Sequence, residues 1–185
     1  TSTTDWLGRA ITRTYDAASN LTGLTYPNGF EVDYAYNAND GLTTFTDPQG
    51  DSSAFGYNAL GQATSIQHVN GTRVDLDYDP AGRLLALINR GADTRVQSAY
   101  RYAMDAVGNR VQVVEERAPF DGLGANVVLT HTYTYDALDR LSGAATVNPA
   151  SHTFYAFDAV GNRLSKTGSV LAPDPGVPAL PVAPA

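Results

Sequence analysis

The sequence has no cysteine, one lysine, one methionine and one tryptophan, and only three of its nineteen acidic residues are glutamate. Without cysteine there is no disulfide framework, and the redox compartment stays open. Scarce Glu and Lys argue against a helical chain, because those residues favour helices while the Asp, Asn and Gly found instead favour turns. No apolar run approaches the roughly 18 to 20 residues that a membrane-spanning helix needs. A formal charge of -7 over 185 residues argues against nucleic acid as a partner, since that role needs clustered Lys and Arg. The chain starts with Thr1, its single Met is Met104, and no signal peptide is visible. It opens in mid-pattern, at Asp5-Trp6-Leu7-Gly8-Arg9, and so reads as an internal or trimmed piece of a longer protein.

What is present is repetition. Tyr78-Asp79-Pro80-Ala81-Gly82-Arg83-Leu84 returns, with variations, at Tyr36, Tyr57 and Tyr135, and more loosely at Tyr15, Met104 and Phe157. From Tyr15 to Tyr78 the step is 21 residues each time; it then becomes 26, 31 and 22. A fixed period of this size marks a repeat protein, and that fact decides the architecture before any local reading does.

Each unit carries two turns. The first is Asp-Ala-x-Gly, where the Asp side chain can bond backbone amides and the Gly supplies the left-handed residue that closes a type I hairpin. Asp40 and Asp139, and less readily Ser19, take that place where Gly is missing. The second turn is rich in Pro, Asn and Gly, with glycines at 29, 50, 71 and 91. The intervening segments of about six to eight residues are too short for stable helices and right for strands. The stretch 80–90 has helix formers, but its register with neighbouring units favours a strand.

Aromatics sit two apart before the first turn: Tyr34 and Tyr36, Phe55 and Tyr57, Tyr100 and Tyr102, Tyr133 and Tyr135, Tyr155 and Phe157. Residues two apart share a strand face, so this ladder reads as core. Strands should therefore end at Tyr15, Tyr36, Tyr57, Tyr78, Tyr135 and Phe157, with Tyr36, Tyr57 and Tyr78 stacked on successive hairpins. After the turn come two apolar columns, Leu21, Leu42 and Leu84, then Leu24, Phe45, Ile66 and Leu87. Their offset of three is odd, which requires either a bulge or burial on both faces.

The predicted fold is all-β, tandem antiparallel hairpins over 1–168, with an inserted loop near 112–128 that holds Glu115-Glu116-Arg117. Residues 169–185 read as a Pro-rich tail or linker, extended or strapped along a neighbouring surface, because five of the ten prolines lie at 173, 175, 178, 181 and 184.

Little here carries chemistry. His68, His131 and His152 are scattered, with His68 and His152 placed singly on strands, and none has a second ligand at metal-binding spacing. Gly-x-Ser-x-Gly and a phosphate-binding Gly loop are absent. The Asp-rich turns lack the Gly-Gly-x-Gly-x-Asp pattern of calcium-binding repeats, and a turn Asp is more often a cap. Arg83, Arg140 and Arg163 read as surface partners of the turn Asp residues. The expectation is no enzyme, with no catalytic, cofactor-binding or metal residues.

The phrase Tyr-Asp-Ala-x-Gly-Arg-Leu, with Pro-x-Gly between copies, resembles the YD-repeat family of Rhs proteins, Tc toxin C components, wall-associated proteins and teneurins. The resemblance covers about residues 5–168. It implies hairpins coiling into a spiralling, solenoid- or shell-like sheet, which in Rhs and Tc proteins encloses a C-terminal toxin. It further implies a secreted or cell-surface protein of bacterial origin. Expected partners are other YD repeats of the parent protein or identical copies through open strand edges, and a toxin cargo. The self-cleaving Asp-Pro-x-Gly elements of such shells are not matched by Asp174-Pro175-Gly176. The resemblance thus implies a structural segment that encloses or presents a toxin or effector. The alternative is the repeat stalk of an adhesin that binds glycan or protein.

Overall fold

A computed structural model describes residues 1–119, 124–147 and 150–170; the expected Pro-rich tail from 171 on lies outside the described residues. Every regular element among them is a strand. The chain divides into two compact units, Thr1–Val96 and Gln97 onward.

In the first unit the strands are β1 (Ser2–Thr4), β2 (Ala10–Tyr15), β3 (Leu21–Thr25), β4 (Glu31–Tyr36), β5 (Leu42–Thr46), β6 (Ser52–Tyr57), β7 (Ala63–Gln67), β8 (Arg73–Tyr78) and β9 (Leu84–Arg90). Each pairs antiparallel with the next. The second unit is built the same way from β10 (Val96–Met104), β11 (Arg110–Arg117), β12 (Val127–Tyr135), β13 (Leu141–Val147), β14 (Ser151–Phe157) and β15 (Arg163–Val170). The strands before the first-type turns end at Tyr15, Tyr36, Tyr57, Tyr78, Tyr135 and Phe157, as the aromatic-then-turn order predicts, and a further one ends at Met104.

Both turn types are the same hairpin. In Asn58–Gln62 the amide of Gly61 donates to the carbonyl of Asn58, and Asn58 N–H donates to Gln62. Tyr26–Phe30 repeats both bonds. The fourth residue carries the positive φ, as at Gly61 (77°) and Gly29 (81°), and non-glycines Ser19, Asp40 and Asp139 hold the same conformation. What separates the two turn types is the strand that follows. After each of the seven first-type turns the register slips by one residue, beside Tyr15, Tyr36, Tyr57, Tyr78, Met104, Tyr135 and Phe157. Tyr36 faces Leu42 and Ala35 faces Thr44, so Thr43 is the extra residue of a β-bulge.

That bulge settles the odd offset of three. Leu42 pairs with Tyr36 and Phe45 with Tyr34, and since Tyr34 and Tyr36 share a face, both apolar columns share it too. It also shears the sheet. The hydrogen-bonded column through Tyr34 runs to Phe45 and then Ser53, whereas the repeat-equivalent of Tyr34 is Phe55, two residues further on. An advance of about 6.7 Å along the strand for about 9.6 Å across inclines the strands by about 35° to the row of turns, the tilt at which sheets coil.

Two expectations need correction. The aromatic ladder is a half-buried face rather than an enclosed core. Among the described residues the buried apolar side chains are Val32, Ala86, Ala99 and Val113, and none of the large ones is wholly buried. Within each unit the described strands form one sheet layer, with no second layer to cover its rings. Tyr36, Tyr57 and Tyr78 do recur on alternate strands, but the strand between keeps their rings from stacking. Tyr36 and Tyr57 instead donate their hydroxyls to the carbonyls of Leu21 (3.0 Å) and Leu42 (2.9 Å) on the preceding hairpin. The Asp5–Arg9 turn is also reassigned. It joins β1 to β2 and lies 21 residues before Tyr26, so it belongs to the second turn series despite its first-type sequence.

Smaller departures have local causes. Gly91 opens the turn Gly91–Arg95 instead of closing one, and Thr94 takes the positive φ (66°). Glu115-Glu116-Arg117 belongs to β11, not to a loop, because the insertion lengthens the β11–β12 hairpin before leaving it.

Candidate functional site, the linked row of turns

In each unit the first-type turns line one edge of its sheet, and each is built around one acid or amide. In Asp16–Asn20 the Asp16 Oδ1 accepts from the amides of Ala18 (3.0 Å) and Asn20 (2.8 Å), and Oδ2 from the Asn20 side chain (3.1 Å). Asp79 repeats this with Ala81, Arg83 and the Arg83 guanidinium (2.6 Å), and Asp136 with Leu138, Arg140 and the Arg140 guanidinium (2.7 Å). Hydrogen bonds to the ionised form hold these carboxyls below the usual range. The fifth-residue amide leads for Asp79 and Asp136, and the fifth-residue side chain for Asp16 and Asp158. Arg83 and Arg140 therefore pair as expected. Arg163 does not, because Asn162 occupies the fifth place; Arg163 lies over the Tyr155 ring at 6.0 Å.

The fifth residue also reaches the next turn. Asn20 Nδ2 donates to Asp40 Oδ1 (2.7 Å) and Asn109 Nδ2 to Asp139 Oδ1 (2.8 Å). Gln62 Nε2 donates to the Gly82 carbonyl (3.1 Å), and Arg140 Nη1 to the Asp158 carbonyl (3.0 Å) while lying 4.8 Å over the Phe157 ring. A repeated side-chain tie thus runs from one hairpin to the next. Sequence reasoning missed it, although a signal was there: each of the first-type turns with Asp in fourth place follows a turn or turn-equivalent with Asn in fifth place, Asn20 before Asp40 and Asn109 before Asp139.

A second cluster lies on the tyrosine face of β10 to β13. Glu115, 7% exposed, sits opposite Tyr100 and accepts from Arg117 Nε at 2.5 Å. His131 Nε2 lies 3.6 Å from its other oxygen, and His131 Nδ1 shares a hydrogen bond of 2.9 Å with Thr146 Oγ1. Burial, the largest influence on Glu115, works to raise its pKa. The hydrogen bonds from Arg117, Tyr100 and His131 outweigh it and leave the carboxyl below its ordinary value. The bond and charge of Glu115 raise Tyr100. This carboxylate is fully partnered, so it fixes three strands to one another and has no open position for a ligand.

The other sequence candidates stay apart. His68 is the first residue of the His68–Thr72 turn, not a strand residue, and His152 on β14 lies against the Phe154 ring at 5.4 Å. Among the described residues no three His, Cys, Asp or Glu side chains come together, and no helix is long and apolar enough to cross a membrane, which says nothing of a β-barrel.

The comparisons agree with this geometry. The RHS Repeat family model matches residues 1–31, 36–73 and 57–94. No curated protein matches the sequence. Among solved structures, the chain is similar to one in the Tc holotoxin pore of Photorhabdus luminescens, with a TM-score of 0.68 and 23% identity over 87% of this chain and 9% of that one. The TcdB2-TccC3 structure gives the same values, and TcdB2-TccC3-Cdc42 does likewise. The chain spans less than a tenth of the length of these neighbours, and at this identity the likeness is one of fold. Residues 1–31 and 36–94 are thus RHS, or YD, repeats by the family model, and the same hairpin-and-bulge pattern continues in β10 to β15.

Proposed function

We propose that this chain is a non-enzymatic structural segment of a large YD-repeat protein, building a sheet wall that encloses or presents a toxin or effector. The observation that carries the reading is the linked row of turns. Its polar side chains are committed to holding one hairpin to the next, and Glu115, the one buried carboxylate among the described residues, is committed to joining strands. The bulge-driven tilt of the strands suits a wall that curves. Similarity to Tc holotoxin chains favours a toxin-related parent, exported or displayed by a bacterium. Its partners would be neighbouring YD repeats and the cargo.

The test is made on the parent protein. Electron microscopy should show a hollow wall that contains these repeats, and a downstream segment should resist protease until the wall is opened. A parent with no lumen, whose downstream segment is cut at the same rate in both states, would overturn the reading. The adhesin alternative draws on the exposed Trp6 and Phe30. It predicts binding of the intact parent to immobilised glycans or host proteins, lost on replacing those two rings.

A further inference from the structure

The ties between turns follow a pairing rule. Where the fifth residue is Asn, the fourth residue of the next turn is Asp and the amide meets its carboxylate, as in Asn20–Asp40 and Asn109–Asp139. Where the fifth residue is Gln62 or Arg140, the next fourth residue is Gly and the longer side chain reaches a backbone carbonyl instead. Length explains the rule. Asn reaches only an acceptor that is itself carried on a side chain, whereas Gln and Arg extend to the main chain.

Asn162 is the fifth residue of the Asp158–Asn162 turn, between β14 and β15. Its amide and side chain bond Asp158 at 2.8 and 2.9 Å, as Asn20 bonds Asp16 and Asn109 bonds Asp105. Asn20 and Asn109 use their second amide hydrogen on the following turn. That of Asn162 has no partner among the described residues, and Asn162 is exposed. Beside it β15 pairs with β14 alone, and its outer edge has no strand partner among the described residues.

We infer that the β15 edge with Asn162 is a docking surface for another YD hairpin, and that this partner carries Asp in the fourth place of its turn. The inference rests on reading the chain as a repeat segment, and it adds a specificity rule to that reading. A hairpin with Gly in fourth place leaves the Asn162 donor without an acceptor. A hairpin with Asp supplies a charged acceptor, the stronger kind of hydrogen bond.

The test uses the full chain and two synthetic peptides. One comprises Tyr26–Asp51 of this sequence, a hairpin with Asp40 in fourth place; the other is the same peptide with Asp40→Gly. Titration into the isotope-labelled full chain is followed at the Asn162 side-chain amide. The Asp40 peptide is expected to shift that resonance and to bind about tenfold more tightly than the Gly peptide, the ratio a charged hydrogen bond gives. In the Asn162→Ala chain the difference should vanish. Equal affinities, shifts confined to other regions, or no binding by the Asp40 peptide would overturn the inference. None of these outcomes touches the wall reading, which the microscopy of the parent decides.

Discussion

At the scale of single residues the fold depends on ionised Asp. Asp5, Asp79 and Asp136 accept their leading bond from the fifth-residue amide, and Asp16 and Asp158 theirs from the fifth-residue side chain. In each the folded-state pKa is depressed below the unfolded value. Such a group contributes stability that is fully present above the unfolded pKa and is lost as pH falls through the folded one. The thermal midpoint should therefore carry the full contribution of these groups, and not vary with pH on their account, between neutrality and about pH 5, then fall below about pH 4. Circular dichroism melts across that range check this. A midpoint that held steady into the strongly acidic range would show that the carboxylates are dispensable to the turns.

At the scale of elements, one turn departs from the others. Thr94 holds φ 66° in the Gly91–Arg95 turn, where Gly8, Gly29, Gly50 and Gly71 serve the other second-type turns of the first unit. A β-branched residue in that conformation costs about 1 to 2 kcal/mol, and glycine's extra chain entropy returns about half of it. Thr94→Gly should stabilise the chain by about 1 kcal/mol and raise the melting midpoint by about 2 to 4 °C. Gly61→Ala has open space for its methyl but the same backbone penalty, and should lower the midpoint. If both substitutions left the midpoint alone, backbone strain in these turns would be negligible. The same turn shows why some of the fold was legible and some was not. Tyr-Asp-Ala-x-Gly fixes a strand end and a hairpin locally, so every such strand end was readable from residues alone. Gly91 matched the period but not the role, because hairpin geometry follows chain register rather than composition. The bulge left only its odd offset in the sequence, at Leu42 and Phe45. The ties between turns depend on residues some 20 to 30 apart, Asn20 with Asp40 and Asn109 with Asp139, and only the tilt of the strands brings them together.

At the scale of the whole chain, the decisive fact is what the sheet does not cover. In the first unit one face carries Leu24, Val32, Tyr34, Phe45, Phe55, Ile66, Val74, Leu76 and Leu87, a set fixed by the pairings of β3 to β9. Of these only Val32 is buried, and no second layer lies over them within the unit. Neighbouring side chains shield one another laterally, which leaves the other eight half-buried, and no strand of the unit packs across the face. An apolar face of this extent, only half-covered within its unit, is a surface for association. The isolated chain should therefore self-associate. Its net charge of -7 opposes that contact, so screening the charge should favour it. Sedimentation velocity from micromolar to hundreds of micromolar is expected to show oligomers that grow with concentration and with added salt. Salt that dissolved the oligomers would point to ion pairs between copies instead of apolar contact. A folded monomer across the whole range, indifferent to salt, would mean that lateral packing of the rings alone satisfies this face.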